Sequence, residues 1–142
     1  MKVLIVEDEP IVAADLAQLA EAEGHEIVGV AAAASDARSL AGLAPDLALV
    51  DINLKDGPTG AHIAADLARR TGAMVVLVTA NIDQIPPSFQ GVAGAMAKPF
   101  TAQAMSALIA YAAATRGTGP AAPPPRGFIP AGGGPVWRMA SG

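Results

Sequence analysis

The sequence predicts an α/β fold, a doubly wound five-stranded parallel sheet, on three observations. Five short apolar runs recur along the chain, at residues 3–6, 27–30, 47–50, 74–78 and 92–97. Longer amphipathic stretches separate them, and acids, a threonine and a lysine stand directly at their ends. Apolar runs of strand length without polar alternation fit strands covered on both faces. Strands that alternate with helices close into an open parallel sheet through right-handed crossovers.

The elements follow in order. The first strand, Val3-Leu4-Ile5-Val6, leads to a helix over 10–23, with Pro10 in its first turn and Gly24 as its stop. Ile11, Leu16 and Leu19 are expected on its core side. After strand 27–30 comes a helix over 35–43, with Ser35 as N-cap and Asp36 in the first turn. Strand 47–50 precedes a helix over 59–70, where Ile63 and Leu67 lie four apart, Arg69-Arg70 complement the dipole and Gly72 ends the run. Strand 74–78 is followed by residues 81–91, which contain Pro86-Pro87. A helix there loses hydrogen bonds and clashes with its preceding turn, so a turn or irregular loop is expected and the fourth helix is degraded. The fifth strand is the weakest, carrying Gly94 and three alanines. The last helix, 101–115, has Thr101 as cap, Met105, Leu108 and Ala112 on one face, and Gly117 beyond.

Composition narrows the function classes. The 142 residues allow one domain. Nine Lys+Arg against 13 Asp+Glu, net -4, lack the basic character of a nucleic-acid binder. The absence of cysteine excludes disulfides and thiol or Cys-zinc chemistry. The 52% hydrophobic content overstates the core, because 33 of those residues are alanine. Neither a signal peptide nor a membrane span is visible, so no membrane contact and a cytoplasmic location are expected. Composition breaks near Arg116. Residues 117–142 hold 7 Gly, 6 Pro and no acid, which places a domain at 1–116 and a flexible tail at 117–142. Phe128-Ile129 and Val136-Trp137 are candidates to dock on a partner or a second copy, which leaves a homodimer open, but an inert tail is the simpler expectation. His25 and His62 lack ligand spacing, and Met74, Met96 and Met105 read as core filler.

The chemistry collects at one edge. Glu7 and Asp8 follow the first strand, Asp51 the third, Thr79 the fourth and Lys98 the fifth. Ligands of open parallel sheets bind outside the carboxyl ends of the strands. Taken singly, the acids are helix-start charges, Asp51 an Asx turn and Lys98 a solvated charge; their conjunction at one edge describes a site. Oxygen-only donors favour a hard divalent ion such as Mg²⁺. A carboxylate beside such an ion can attack phosphorus and form an aspartyl phosphate, with an ammonium and a hydroxyl neutralising the phosphoryl oxygens.

These residues resemble the receiver domain of bacterial two-component response regulators, over about residues 1–116. The matching motifs are Glu7-Asp8 after Val3-Leu4-Ile5-Val6, Asp51 after Asp46-Leu47-Ala48-Leu49-Val50, Val78-Thr79-Ala80, and Lys98-Pro99-Phe100. The resemblance implies a flavodoxin-like strand order 2-1-3-4-5 and Asp51 as phosphoacceptor. It implies Asp8 as a direct Mg²⁺ ligand, Glu7 acting through water, the Asn53 backbone carbonyl completing the set, and Thr79 and Lys98 contacting the phosphoryl group. The Lys98-Pro99 peptide is expected to be cis. Asn53 and Asn81, two residues past the acceptor and the threonine, are implied to set phosphate lifetime. The segment 51–57 is also similar to receivers of general-stress and single-domain regulators.

Two positions depart from the family pattern. Ala95 stands where a Tyr or Phe usually precedes the lysine by three residues, and Pro86-Pro87 interrupt the fourth helix. The expected function is a stand-alone receiver that accepts phosphate from a histidine kinase or histidine phosphotransfer protein, catalyses only its own phosphorylation and dephosphorylation, and signals by protein binding or phosphorelay to an unidentified target. One rival is a receiver-like binding module independent of phosphorylation. The other, a haloacid dehalogenase-type phosphatase, places its nucleophile after the first strand with a second Asp two residues on, whereas here Asn53 follows Asp51 by two.

Overall fold

A computed structural model describes residues 1–85, 91–117 and 119–131. Pro86-Pro87 and Val136-Trp137 therefore lie outside the described residues. The order is β1 (Lys2–Val6), α1 (Pro10–Ala22), β2 (Glu26–Ala31), α2 (Ala34–Leu40), β3 (Leu47–Asp51), α3 (Gly60–Thr71), β4 (Met74–Thr79), β5 (Gly94–Ala97), α4 (Ala102–Thr115) and β6 (Phe128–Pro130). Single 3₁₀ turns occupy Ala41–Leu43 and Ile82–Gln84.

Strands 2-1-3-4-5 run parallel in that order, and β6 adds antiparallel to β5. Every residue of β3 and β4 is buried, as apolar runs without alternation require of central strands. β2 differs. It is an edge strand, half-buried along most of its length, and Val30 is 50% exposed.

Helices cover both faces. α1 and α4 pack Leu16, Ala20, Met105, Leu108, Ile109 and Ala112 against Val3, Ile5, Leu49, Val76 and Val78. α2 and α3 pack Ala34, Ala37, Ile63, Ala64 and Leu67 against Leu4, Val6, Val50, Val75 and Leu77. Each fully buried aliphatic side chain contributes about 1.5–3 kcal/mol, so the two layers together hold the sheet. Met74, Met96 and Met105 all lie in this core.

Two local expectations change. Ile11 is 78% exposed. The core stripe of α1 is Ala13, Leu16 and Ala20, at three- and four-residue steps, and a residue five before Leu16 falls off that stripe. Ser35 is not the cap of α2. The helix begins one residue earlier, and the Ala34 N–H donates to Asp56 Oδ1 at 3.3 Å, so the capping oxygen arrives from another loop. Thr101 does cap α4, accepting from the Ala104 N–H at 3.0 Å. The connection after β4 contains no α-helix among its described residues, only the turn Ile82–Gln84.

The largest difference is the sixth strand. Its residues 128–130 fall in the segment expected to be an inert tail. β5 has small residues at Gly94 and Ala95 and an otherwise open edge. Gly94 pairs with Pro130, Ala95 with Ile129 and Met96 with Phe128. A Cβ at Gly94 would lie 2.4 Å from the Ile129 carbonyl oxygen and 2.6 Å from Phe128 Cζ, so only glycine admits the strand there. Phe128 also stacks at a tilt on Tyr111, ring centroids 5.7 Å apart. The docking of Phe128-Ile129 is thus onto the chain's own sheet. No described helix is long and apolar enough to cross a membrane.

Candidate functional site

β1, β3 and β4 end level with one another, because Val6 pairs with Val50 and Asp51 with Val78 in parallel register. The next residues therefore arrive at one rim. Glu7 and Asp51 are buried there, at 3% and 7% exposure, and Asp8 is half-buried. One carboxylate oxygen from each of the three lies within 4.8 Å of the others.

Lys98, one residue past β5, reaches into this cluster. Its Nζ donates to Glu7 Oε1 at 2.8 Å and to Asp51 Oδ2 at 3.0 Å. Backbone groups hold the remaining oxygens, with the Glu9 N–H on Glu7 Oε2 at 3.2 Å and the Asn53 N–H on Asp51 Oδ1 at 3.2 Å. The Lys98-Pro99 peptide is cis.

The electrostatics follow from burial and crowding. Desolvation raises the Glu7 carboxyl to about 7; the Lys98 hydrogen bond opposes this, and the neighbouring Asp51 adds to it. Burial works against the Lys98 charge, but the hydrogen bonds and negative field of Glu7 and Asp51 outweigh it and hold the ammonium above the ordinary lysine range. Three acids facing one ammonium leave excess negative charge. Their oxygen-only donor set fits a hard divalent cation, since each of the three acids brings one carboxylate oxygen to the cluster.

Thr79 ends β4 and is fully buried. Its hydroxyl is turned into its own loop, donating to the Asn81 carbonyl at 3.2 Å and accepting from the Asn81 N–H at 3.0 Å. The structure thus gathers Glu7, Asp8, Asp51 and Lys98 directly, and sets Thr79 beside them with its hydroxyl engaged elsewhere. Asn53 is exposed, and its side chain pairs with Gln84.

Sequence reasoning missed three supporting residues. Gly60 begins α3 directly under the acceptor: its N–H donates to the Ile52 carbonyl at 2.8 Å, and a Cβ there would lie 1.9 Å from the Asp51 carbonyl oxygen. Asp56 joins the loop to α2 and accepts from Thr59 Oγ1 at 2.8 Å. Gln84 bonds Asn53 from across the rim. A glycine at a helix start was the one local signal available for any of them.

Comparison with known proteins agrees with this geometry. Residues 3–110 match the family model of the response regulator receiver domain. The chain is 35% identical over 119 residues to the phyllosphere-induced regulator PhyR of Methylorubrum extorquens, covering 78% of this chain and 43% of that protein. It is 38% identical over 104 residues to the transcriptional regulatory protein PdtaR of Mycobacterium tuberculosis, covering 70% and 50% respectively. The chain thus spans about half the length of the curated relatives it matches. Among solved structures, the receiver domain of Erythrobacter litoralis PhyR superposes with a TM-score of 0.66 at 30% identity, over 78% of this chain and 88% of that one. PhyR of Brucella abortus gives 0.70 at 29% identity, over 82% and 49%. With the acids, the lysine and the threonine at their respective strand ends, the chain belongs to the response regulator receiver domain family.

Proposed function

We propose that this chain is a response regulator receiver that takes a phosphoryl group onto Asp51 from a histidine kinase or histidine phosphotransfer protein. The observation that carries the reading is the buried Asp51 carboxylate, held by Lys98 and within reach of Glu7 and Asp8. An Asp51 oxygen forms the bond to phosphorus while the bond to the donor imidazole breaks, and the imidazole nitrogen keeps the electron pair. Lys98 then faces the charge that spreads over the phosphoryl oxygens. Asp8 and Asp51 would hold Mg²⁺, with the Asn53 carbonyl and, through water, Glu7; the ion supplies charge neutralisation at those oxygens. Thr79 reaches the phosphoryl group by releasing the Asn81 carbonyl.

The chain catalyses only its own phosphorylation and dephosphorylation, and its output is binding to a partner protein or relay of the phosphate. A Bartonella quintana PhyR, 29% identical, is described as an anti-anti-sigma factor, which makes a sigma-factor regulator one partner class to test. Incubation with acetyl phosphate and Mg²⁺ should modify one residue per chain, and Asp51→Asn should abolish it. Turnover of external phosphoesters should be absent.

A second reading, a binding module independent of phosphorylation, draws on two features. Ala95 carries no aromatic side chain, and the Thr79 hydroxyl is already satisfied. Unmodified chain after prolonged acetyl phosphate treatment would favour it.

A further inference from the structure

We propose that Gln84 is a positioning residue that lengthens the life of the phosphoryl group on Asp51 by locking the Asn53 carboxamide in a reciprocal amide pair. This rests on Asp51 being the acceptor.

The two side chains are 31 residues apart in sequence and meet across the rim. Asn53 Nδ2 donates to Gln84 Oε1 at 2.9 Å, and Gln84 Nε2 donates to Asn53 Oδ1 at 3.3 Å. Both ends are anchored. The Asn53 N–H is bonded to Asp51 Oδ1, which keeps this residue against the acceptor. Gln84 closes a turn whose N–H groups are tied in sequence: Asn81 to Thr79 Oγ1 at 3.0 Å, Asp83 to Asn81 Oδ1 at 3.1 Å, and Gln84 to the Asn81 carbonyl at 3.1 Å. Adjacent parallel strands β3 and β4 bring the two loops side by side. The pair therefore bridges the acceptor loop to the threonine loop.

Hydrolysis of the aspartyl phosphate needs a water placed at phosphorus. Its oxygen forms the new P–O bond while the bond to Asp51 breaks. The carboxylate is regained, and the water's protons pass to the phosphate product and solvent. A free carboxamide beside Asp51 offers a carbonyl and an NH₂ that can orient such a water. A carboxamide occupied by Gln84 at both its oxygen and its nitrogen cannot turn to do so. Gln84 touches neither the phosphoryl group nor the water; it acts through Asn53.

The test is a set of dephosphorylation rates after labelling with acetyl phosphate and Mg²⁺ and removal of excess donor, for the parent chain, Gln84→Ala, Asn53→Ala and the double variant. Gln84→Ala should label to the same extent and lose phosphate roughly two- to fivefold faster, the range that one or two net hydrogen bonds can bias. In the Asn53→Ala background the Gln84 change should have no effect. Gln84→Glu keeps the acceptor for Asn53 Nδ2 and should recover part of the lifetime. Equal lifetimes for the parent and Gln84→Ala would overturn the proposal, as would equal acceleration in both backgrounds. A parent chain that takes no label at Asp51 overturns the acceptor reading and the latch with it, whereas the other outcomes bear on the latch alone.

Discussion

Lys98 Nζ stands between two carboxylates, 2.8 Å from Glu7 and 3.0 Å from Asp51, and its side chain is 17% exposed. A charge so placed serves both the resting site and the incoming phosphoryl group. Lys98→Met should keep the far-UV circular dichroism of the parent while slowing acetyl phosphate labelling by about tenfold or more, the usual scale for losing one such contact. Unchanged labelling would remove Lys98 from the chemistry. Gly60 matters for a different reason. A methyl group there collides with the backbone of Asp51 and Ile52, which cannot move independently of β3. Gly60→Ala should cost about 1–3 kcal/mol by urea unfolding, the scale of overpacking, and should slow labelling as well. The polar rim residues Glu7, Asp8, Asp51, Thr79 and Lys98 were legible because each ends an apolar run. Gly60 and Gln84 were not, because their contacts are with residues distant along the chain or hidden in the backbone.

Among the elements, α4 is tied to the opposite end of the sheet through its C-terminal Arg116. That guanidinium donates to the Gly72 carbonyl at 2.6 Å and to Asp46 Oδ1 at 3.2 Å, while Asp46 Oδ2 accepts from the Lys2 N–H at 2.8 Å. The Lys2 hydrogen bond first, and Arg116 second, hold the Asp46 carboxyl below its ordinary value of 3.8. A depressed acid stabilises the fold fully above its unfolded value, and that contribution is lost as pH falls through the folded one. Acid unfolding curves should therefore show a steeper loss of stability below about pH 4 for the parent than for Asp46→Asn. Identical slopes would mean the clamp has no linkage. Element assignment itself was largely readable: α1, α3 and α4 lie close to where stripe and stop signals put them. The start of α2 was not, since its capping oxygen belongs to Asp56, 22 residues away.

For the whole molecule, the strand Phe128–Pro130 is the feature that alters how the surface is understood. An uncovered edge of β5 would present unpaired backbone groups, a liability for pairing with other chains. β6 covers it, with Phe128 on the α1–α4 layer and Ile129 on the α2–α3 layer. Phe128→Ala should lower stability by about 1–2 kcal/mol, as expected for a half-buried aromatic, and increase self-association measured by light scattering. No change in either would show that the strand adds nothing to the fold. Gly/Pro-rich composition argued against order in this segment. What composition could not register was the complement: a glycine and an alanine on β5, 33 or more residues earlier, shaped to receive it.

Local sequence alone determined the alternation of strands and helices, the parallel sheet and the rim on which the acids and the lysine sit, because those depend on apolar periodicity and on the residue types standing directly after each run; the strand order 2-1-3-4-5 was implied only by the family resemblance. Tertiary structure decided the sixth strand, the cap of α2, the Gly60 contact and the Asn53–Gln84 pair. Each of these joins groups that are remote in sequence, and their affinity for one another exists only once the sheet has brought them together.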